Sequence, residues 1–504
     1  MKRLAIVSFI LFIVVVFAAS SCDSDSNSNS NSNSNSNSNI SSGSDNSGSS
    51  GDSGDSGDNG DSGDNGDSNN DAKSTSRKKI AGTISMTVPN WFLPFIQQIA
   101  DEFCAIHPDV TVTLNTYDIL KFIEYRDEIR FPIMSGQKMA DDIIQANCFT
   151  PWDYLKHDWM FVDFYELMEN DPDFAMDDHY ESVFDGLAMK GKLFEFPIDF
   201  LYCLIGISAD APAETIEKFK QYDAITFGEV FDLYNSIPDR GDRYVSDYCG
   251  AHLLFLRNLS AYVDFERRTC NLNDPGFVKL ITDAKNATHP DKVSSGRLDS
   301  EGDFVWQGYR SEAELKEFAA KYFFHVATCE SYQLTIPSDG EEVFTHFIPL
   351  LNENGKVGIQ TAVESWSIPA TSENKEAAWE FIKFMATQEG NKGRLGTQMF
   401  VQFVPNKEFF RTNLPITLEK FAKDSIKNAN APFNSFLGDV AGNSARIVDM
   451  YDGYNQMPMD WYWLWDPSFT GNVLEIMRAF YAGAMSAEQV ASELNNRVTL
   501  LLLE

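Results

Sequence analysis

The stretch QMPMDWYWLWDPSF puts Trp461, Trp463 and Trp465 at alternate positions, flanked by Asp460 and Asp466. In an extended chain alternate side chains point to one side, so the three indoles would form a strip edged by carboxylates. A second concentration, QANCFTPWDY, offers Gln145, Asn147 and Trp152. TVPNWF sets Asn90 beside Trp91, and FPIDFLY adds Asp199 and Tyr202. Trp366 with Glu364 in VESWSIP, and Tyr332, complete the set. Indole, phenol, amide and carboxylate together suit a polyhydroxylated ring. Flat apolar surfaces take its C–H faces, and short polar groups take its rim of hydroxyls. Each residue also has a plainer reading: Trp91 and Trp152 as local packing, Asp199 as a structural carboxylate at a strand end. A buried Asp without a partner is costly, which favours a hydrogen-bonding task for Asp199.

Bond-breaking chemistry is poorly equipped. The His residues are scattered, with no HExxH pair. No GxSxG elbow occurs. GNKGRLG follows a helical pattern instead of a strand, so it is no phosphate loop. No cofactor, metal or catalytic residue is expected. Carboxylates are plentiful, so composition leaves a glycosidase pair open, and only geometry would reveal one.

The elements that must position these loops read as an α/β body. KKIAGTISMTV predicts a first strand ending at Pro89 and Asn90. Phe95, Ile96, Ile99 and Phe103 then recur at helical spacing, and Pro108 follows that helix. VTVTLNTY returns as an alternating strand. Strand, helix, strand implies parallel pairing. DDIIQA predicts a third, buried strand, so Gln145, Asn147 and Trp152 follow a carboxyl strand end, a common place for ligands in open α/β sheets. GKLFEFPIDFLYCLIGIS reads as a long crossing strand. Helices are expected after Thr226 as N-cap, after Ser372 as N-cap, and after Ser486 with Gln489 at capping-box spacing.

The chain has 504 residues and a net charge of -34. Its size past residue 80 suits one large or two medium domains. About ten of the negative charges are Asp residues between Asp23 and Asp71, so the remainder is still acidic. Such a balance excludes nucleic acid as a partner, since phosphates would be repelled, and suits an uncharged ligand.

Lys2 and Arg3 precede an apolar run from Leu4 to Ala18, then Ala18, Ala19, Ser20 and Ser21 lead to Cys22. The run is shorter than the roughly 20 residues that span a bilayer. It reads as an export signal covering 1–22, and small residues abutting a cysteine resemble a bacterial lipobox, in which Cys22 receives the acyl chains. Several acyl chains together anchor stably in a lipid bilayer where one would not. Residues 23–79 are nearly all Ser, Asn, Gly and Asp. They cannot bury apolar surface, so they predict a disordered tether with an end-to-end distance of about 40 Å. Cys104, Cys148, Cys203, Cys249, Cys270 and Cys329 are widely spaced with no CxxC, and buried thiols are the expected state for most.

Five segments in order resemble the extracellular solute-binding proteins of family 1, the sugar-binding lipoprotein receptors of ABC importers. They are FCAIHPDVTV, GKLFEFPIDFLYCLIGIS, AYVDFERRTCNLNDPGFVKLITDAKNA, ATSENKEAAWEFIKFMAT and AGAMSAEQVASELNNRVTLLLLE. YFFHVATCESYQLTIP departs from the family pattern. The resemblance implies a two-lobed periplasmic-binding-protein-like fold, its discontinuous lobes joined by hinge strands. Lobe one would span about 80–198 and 345–405, lobe two about 203–340 and 410–504. It implies a carbohydrate ligand in an interlobe cleft reached by Asn90 and Trp91 and by an aromatic before the last helices. It also implies ABC permease subunits as partners and export to the outer face of the cytoplasmic membrane or the cell surface. A surface glycoside hydrolase and a non-transport glycan-binding protein are the alternatives.

Overall fold

The computed structural model of the chain describes residues 80–246, 251–287, 320–328, 344–361, 364–387, 389–390, 403–427, 440–461 and 467–503. Cys22, the 23–79 segment, Tyr332, Trp463, Trp465, Cys249 and Cys329 lie outside the described residues.

The opening follows its sequence pattern. Strand β1 (Gly82–Pro89), helix α1 (Leu93–Ile106) and strand β2 (Val110–Tyr117) succeed one another. β1 and β2 pair in parallel from Gly82↔Val110 to Pro89↔Tyr117. On α1, Ile96, Ile99, Ala100 and Phe103 are buried, the i, i+3, i+4, i+7 stripe of an amphipathic helix. Helix α2 (Phe122–Met134) follows, then a very short β3 (Ile144–Gln145) and helix α3 (Pro151–Lys156). Thr150 caps α3 through a reciprocal capping box with Asp153.

The long crossing strand divides into β4 (Phe196–Pro197) and β5 (Phe200–Ser208). In β5 the even positions Phe200, Tyr202 and Leu204 enter one apolar core, and Ile205 and Ile207 enter another. A strand buried on both faces needs an almost unbroken apolar run, which FLYCLIGIS supplies. Helix α4 (Phe227–Asn235) starts at the expected cap, with Thr226 and Glu229 in a capping box. The short strands β6 (Val263–Asp264) and β7 (Thr269–Cys270) pair as a hairpin, and helix α5 (Pro275–Ala287) follows.

β8 (Phe324–Thr328), β9 (Phe344–Leu351) and β10 (Val357–Thr361) all pair antiparallel with β5. Phe344–Leu351, which the sequence places in lobe one, therefore runs in the sheet of the crossing strand. Ile348 and Leu350 join Ile205 and Ile207 in one apolar core, while Phe344 and Phe347 enter the core of Phe200 and Tyr202. β11 (Ser365–Ser367) returns to the first lobe between β3 and β4. Helix α6 (Lys375–Met385) packs Phe381 on Phe103 of α1, with ring centroids 5.1 Å apart. Its N-cap is Asn374, two residues after the expected Ser372. The Ser372 hydroxyl accepts from the Asn374 amide and donates to Asp142 (2.7 Å), so it ties the helix start to the approach of β3.

Helices α7 (Lys407–Lys427) and α8 (Val440–Asn455) set Phe409, Phe410 and Tyr451 into the same apolar core as β1 and α1. Strand β12 (Met459–Trp461) then pairs in parallel with β10. Helices α9 (Pro467–Tyr481) and α10 (Ala487–Leu503) end the chain, and Ser486 and Gln489 form the expected reciprocal cap. A further apolar core joins residues 119–161 to residues 255–281 and to α9 and α10, so it spans segments before and after the crossing strand. Cys104, Cys148, Cys203 and Cys270 are free thiols. No described helix is long and apolar enough to cross a membrane.

Candidate functional site

β1, β2 and β3 bring their carboxyl ends together. After β1, Asn90 is exposed, and its Oδ1 accepts from the Trp91 backbone amide at 2.9 Å. Trp91 is half-buried and packs against both the first-lobe core and the core that spans the crossing. Tyr117 ends β2. Its hydroxyl donates to Gln145 Oε1 at 2.8 Å and its ring stacks on Tyr125 at 4.1 Å, with 7° between the planes. Burial pushes the Tyr117 phenol above its ordinary range, so it stays a neutral donor. Gln145 is fully buried, and its strand β3 pairs with β11 at Trp366↔Gln145.

One turn onward, Asn147 and Trp152 stand on either side of the Thr150 cap. Asn147 Oδ1 and Trp152 Nε1 are both buried, and neither has a hydrogen-bond partner among the described residues. The Trp152 ring collects cations and an aromatic edge. Lys156 Nζ lies 4.9 Å from its centroid and the Arg268 guanidinium 5.8 Å from it. The Phe265 ring meets it at 6.1 Å and 63°. Phe265 and Arg268 belong to the β6–β7 hairpin, beyond the crossing strand. The same hairpin's Glu266 accepts the Lys190 backbone N–H, and Lys190 Nζ reaches the Leu155 carbonyl at 2.8 Å. Lys190 and Arg268 have φ of 51° and 56°, a left-handed backbone that costs roughly 1 kcal/mol or more for a residue with a Cβ.

Trp461 approaches from a third direction. Its strand lies in the row Tyr202↔Ile359↔Trp461, one strand removed from β5. Its ring is half-buried and stands 6.0 Å from Tyr154. Tyr154 is wholly buried and shares a 2.8 Å hydrogen bond with Ser367. Asp460, just before Trp461, has its carboxyl pushed up by burial, against the opposing pull of the Ser260 hydroxyl and Lys356.

The structure thus gathers Trp91, Gln145, Asn147, Trp152 and Trp461 around β-strand ends and the interlobe contact. It does not gather all the expected residues. Tyr202 is 2% exposed, donates to Asn455 Oδ1 at 3.1 Å and stacks on Phe403 at 4.9 Å. Trp366 has no exposed surface and sits in the first-lobe core. Both are packing residues, because the same apolar core closes over the faces of their strands. Asp199 is buried at the start of β5. Glu364 is buried too, and its carbonyl accepts from Ile198 N–H at 2.8 Å. Sequence reasoning missed Tyr154, Phe265 and Arg268. AYVDFERRT carries an aromatic and two arginines in a short hairpin, yet nothing local indicates that they meet Trp152.

Residues 329–392 match the bacterial extracellular solute-binding protein family, a stretch that includes SENKEAAWEFIKFM. No curated protein matches the chain. Solved structures do. The sugar-binding protein MalE from Xanthomonas citri is 13% identical at a TM-score of 0.54, over 84% of this chain and 98% of its own. An extracellular solute-binding protein family 1 from Alicyclobacillus acidocaldarius is 11% identical at 0.52, over 85% and 100%. A sugar transporter from Rhizobium etli in an open conformation is 14% identical at 0.51, over 83% and 99%. At such identities the likeness is one of fold, the two-lobed α/β arrangement of periplasmic binding proteins. The resemblance carried by the five sequence segments is borne out.

Proposed function

We propose that the chain is the substrate-binding component of an ABC importer and captures a carbohydrate, an oligosaccharide in particular, between its lobes. The carrying observation is the pair Asn147 Oδ1 and Trp152 Nε1 beside an interlobe aromatic contact. Buried polar atoms are nearly always paired. An acceptor and a donor next to a flat ring are what a hydroxylated ring with C–H faces requires. Trp91 and Trp461 add further platforms, and Asn90, Gln145 and Asp199 further polar groups. Trp463, Trp465 and Tyr332 continue the same chemistry along the chain.

Lobes that hinge about β5 would open to admit the ligand, close on it, and hand it unaltered to permease subunits. The fold likeness to a sugar-binding protein and a sugar transporter supports this reading. Cys22 carries acyl chains in it, and residues 23–79 hold the body away from the outer face of the membrane.

Calorimetry against a glycan panel tests the ligand class, with heat expected for at least one neutral oligosaccharide. Binding of another solute class alone overturns it. The sugar recovered after incubation should show no new reducing ends; their appearance would make the protein a hydrolase. Replacing Cys22 with Ser should move the protein from the membrane fraction to the medium or periplasm.

A further inference from the structure

The geometry points to a second saccharide subsite, in a pocket of the second lobe beside the β6–β7 hairpin. The pocket has a volume of about 510 Å³, and its wall includes Ser260, Tyr262, Asp264, Thr269, Asn271 and Asn354. That volume lies within the range of small-molecule pockets, about 300–1,000 Å³. The inference rests on the carbohydrate reading above and names a part of the molecule that reading leaves unused.

The lining selects the ligand class. Hydroxyls come from Ser260, Tyr262 and Thr269, amides from Asn271 and Asn354, and carboxylates from Asp264 and Asp274. No Lys, Arg or His lines the pocket, and the adjacent Arg267 is paired with the lining Asp264 carboxylate at 3.6 Å, so the wall itself offers an anion no counter-charge. No group of three His, Cys, Asp or Glu among the described residues is placed to hold a metal ion. Tyr262 is the single aromatic ring on the wall, too little for an apolar ligand. A neutral polyol is what remains.

The hydrogen-bonding capacity agrees. The Tyr262 hydroxyl makes no hydrogen bond among the described residues. Burial, with the Glu353 and Asp274 charges adding to it, holds the phenol above its ordinary range and keeps its proton available for donation. Asp274 accepts from Gly276 N–H at 2.7 Å and from the Asn271 amide at 3.4 Å. A carboxylate has about four acceptor positions, so capacity is left for ligand hydroxyls.

The position also agrees. Asn352 Nδ2 donates to Ser260 Oγ at 3.2 Å and to Asp460 Oδ2 at 3.4 Å, and Trp461 is the next residue. On the other side Asp264 precedes Phe265, whose ring meets Trp152. The pocket wall is thus tied to both tryptophans, where a further unit of an oligosaccharide would lie.

Calorimetry of the full-length protein in detergent tests this, with glucose, maltose, maltotriose, cellobiose, cellotriose, xylose, xylobiose and xylotriose as probes. In the series that binds, Tyr262→Phe and Asn354→Ala should each weaken the trimer roughly five- to tenfold. The shortest binding member should stay within about twofold, while Trp461→Ala weakens every member. Tyr262→Phe keeps the ring packed on Phe277, 5.1 Å away, so its thermal melt should overlay that of the parent. No loss for the trimer, or an equal loss for the shortest member, overturns the subsite and leaves the carbohydrate reading intact. No heat with any probe in the parent protein overturns that reading and the subsite with it.

Discussion

Trp152 and Phe265 meet edge to face, 6.1 Å apart, although one precedes the crossing strand and the other follows it. The contact does not stand alone. Arg268 lies over the same indole, and Glu266 accepts the Lys190 amide a few residues away. A hairpin of the second lobe therefore grips the helix that carries the candidate ligand residues of the first.

That grip predicts a measurable change of shape. Glu266→Ala deletes the acceptor for Lys190 N–H, and Phe265→Ala removes the aromatic edge. Each contact is worth about 0.5–1.5 kcal/mol. The ligand-free variants should populate a more open form several-fold more than the parent. Small-angle scattering should report a larger radius of gyration that returns to the parent value when ligand binds. Curves identical to the parent for both variants would show that the hairpin does not hold the lobes.

Trp461→Ala should weaken sugar binding by about 1.5–3 kcal/mol, roughly ten- to a hundredfold, as the loss of one aromatic platform. The half-buried ring also packs on Tyr154, so a modest drop in melting temperature accompanies it. Global unfolding of Trp461→Ala, seen by circular dichroism, would make the residue core instead.

Gly186 is a packing position. A Cβ there would come 2.8 Å from Met459 Cβ and 3.0 Å from the Met459 carbonyl carbon. Backbone on β12 cannot move aside as a side-chain tip can. Gly186→Ala should destabilise the protein by about 1–3 kcal/mol, read as a shift in the urea midpoint. Since β12 carries Trp461, a loss of ligand affinity should accompany it.

His325 makes stability pH-dependent. Burial lowers its pKa from 6.5 to about 4. The unfolded chain takes up a proton below the ordinary value and the folded chain does not. Stability is therefore fully present above about pH 6.5 and falls as the pH drops toward 4. Between pH 6.5 and 5 the loss is on the order of 2 kcal/mol. His325→Phe, which keeps a ring against Phe344, should flatten that part of the melting-temperature profile. An unchanged slope would assign the acid sensitivity to other groups.

Local pattern carried much of the fold. The helical stripe of α1, the alternation of β2, the two-faced apolar run of β5 and the caps at Thr226 and Ser486 all follow from side chains a few residues apart. Such interactions are decided by the 3.6- and 2-residue periods of the backbone alone. The pattern also marked out the loops rich in indole and amide, and the order of segments that betrays a two-lobed receptor fold.

Tertiary structure decided what those loops do. Trp152 and Trp366 both sit in mixed polar and apolar stretches, FTPWDYL and VESWSIP, that offer the same indole to a ligand. Pairing of β11 between β3 and β4 drives Trp366 wholly into the core, whereas Trp152 is held against a hairpin from the other lobe. Tyr202 is likewise claimed by Asn455 and Phe403, residues far along the chain. β9 sends Phe344 and Phe347 into one core and Ile348 and Leu350 into another only because it finds β5 and β10 as partners. Burial and convergence come from contacts between distant segments, and no local period encodes them.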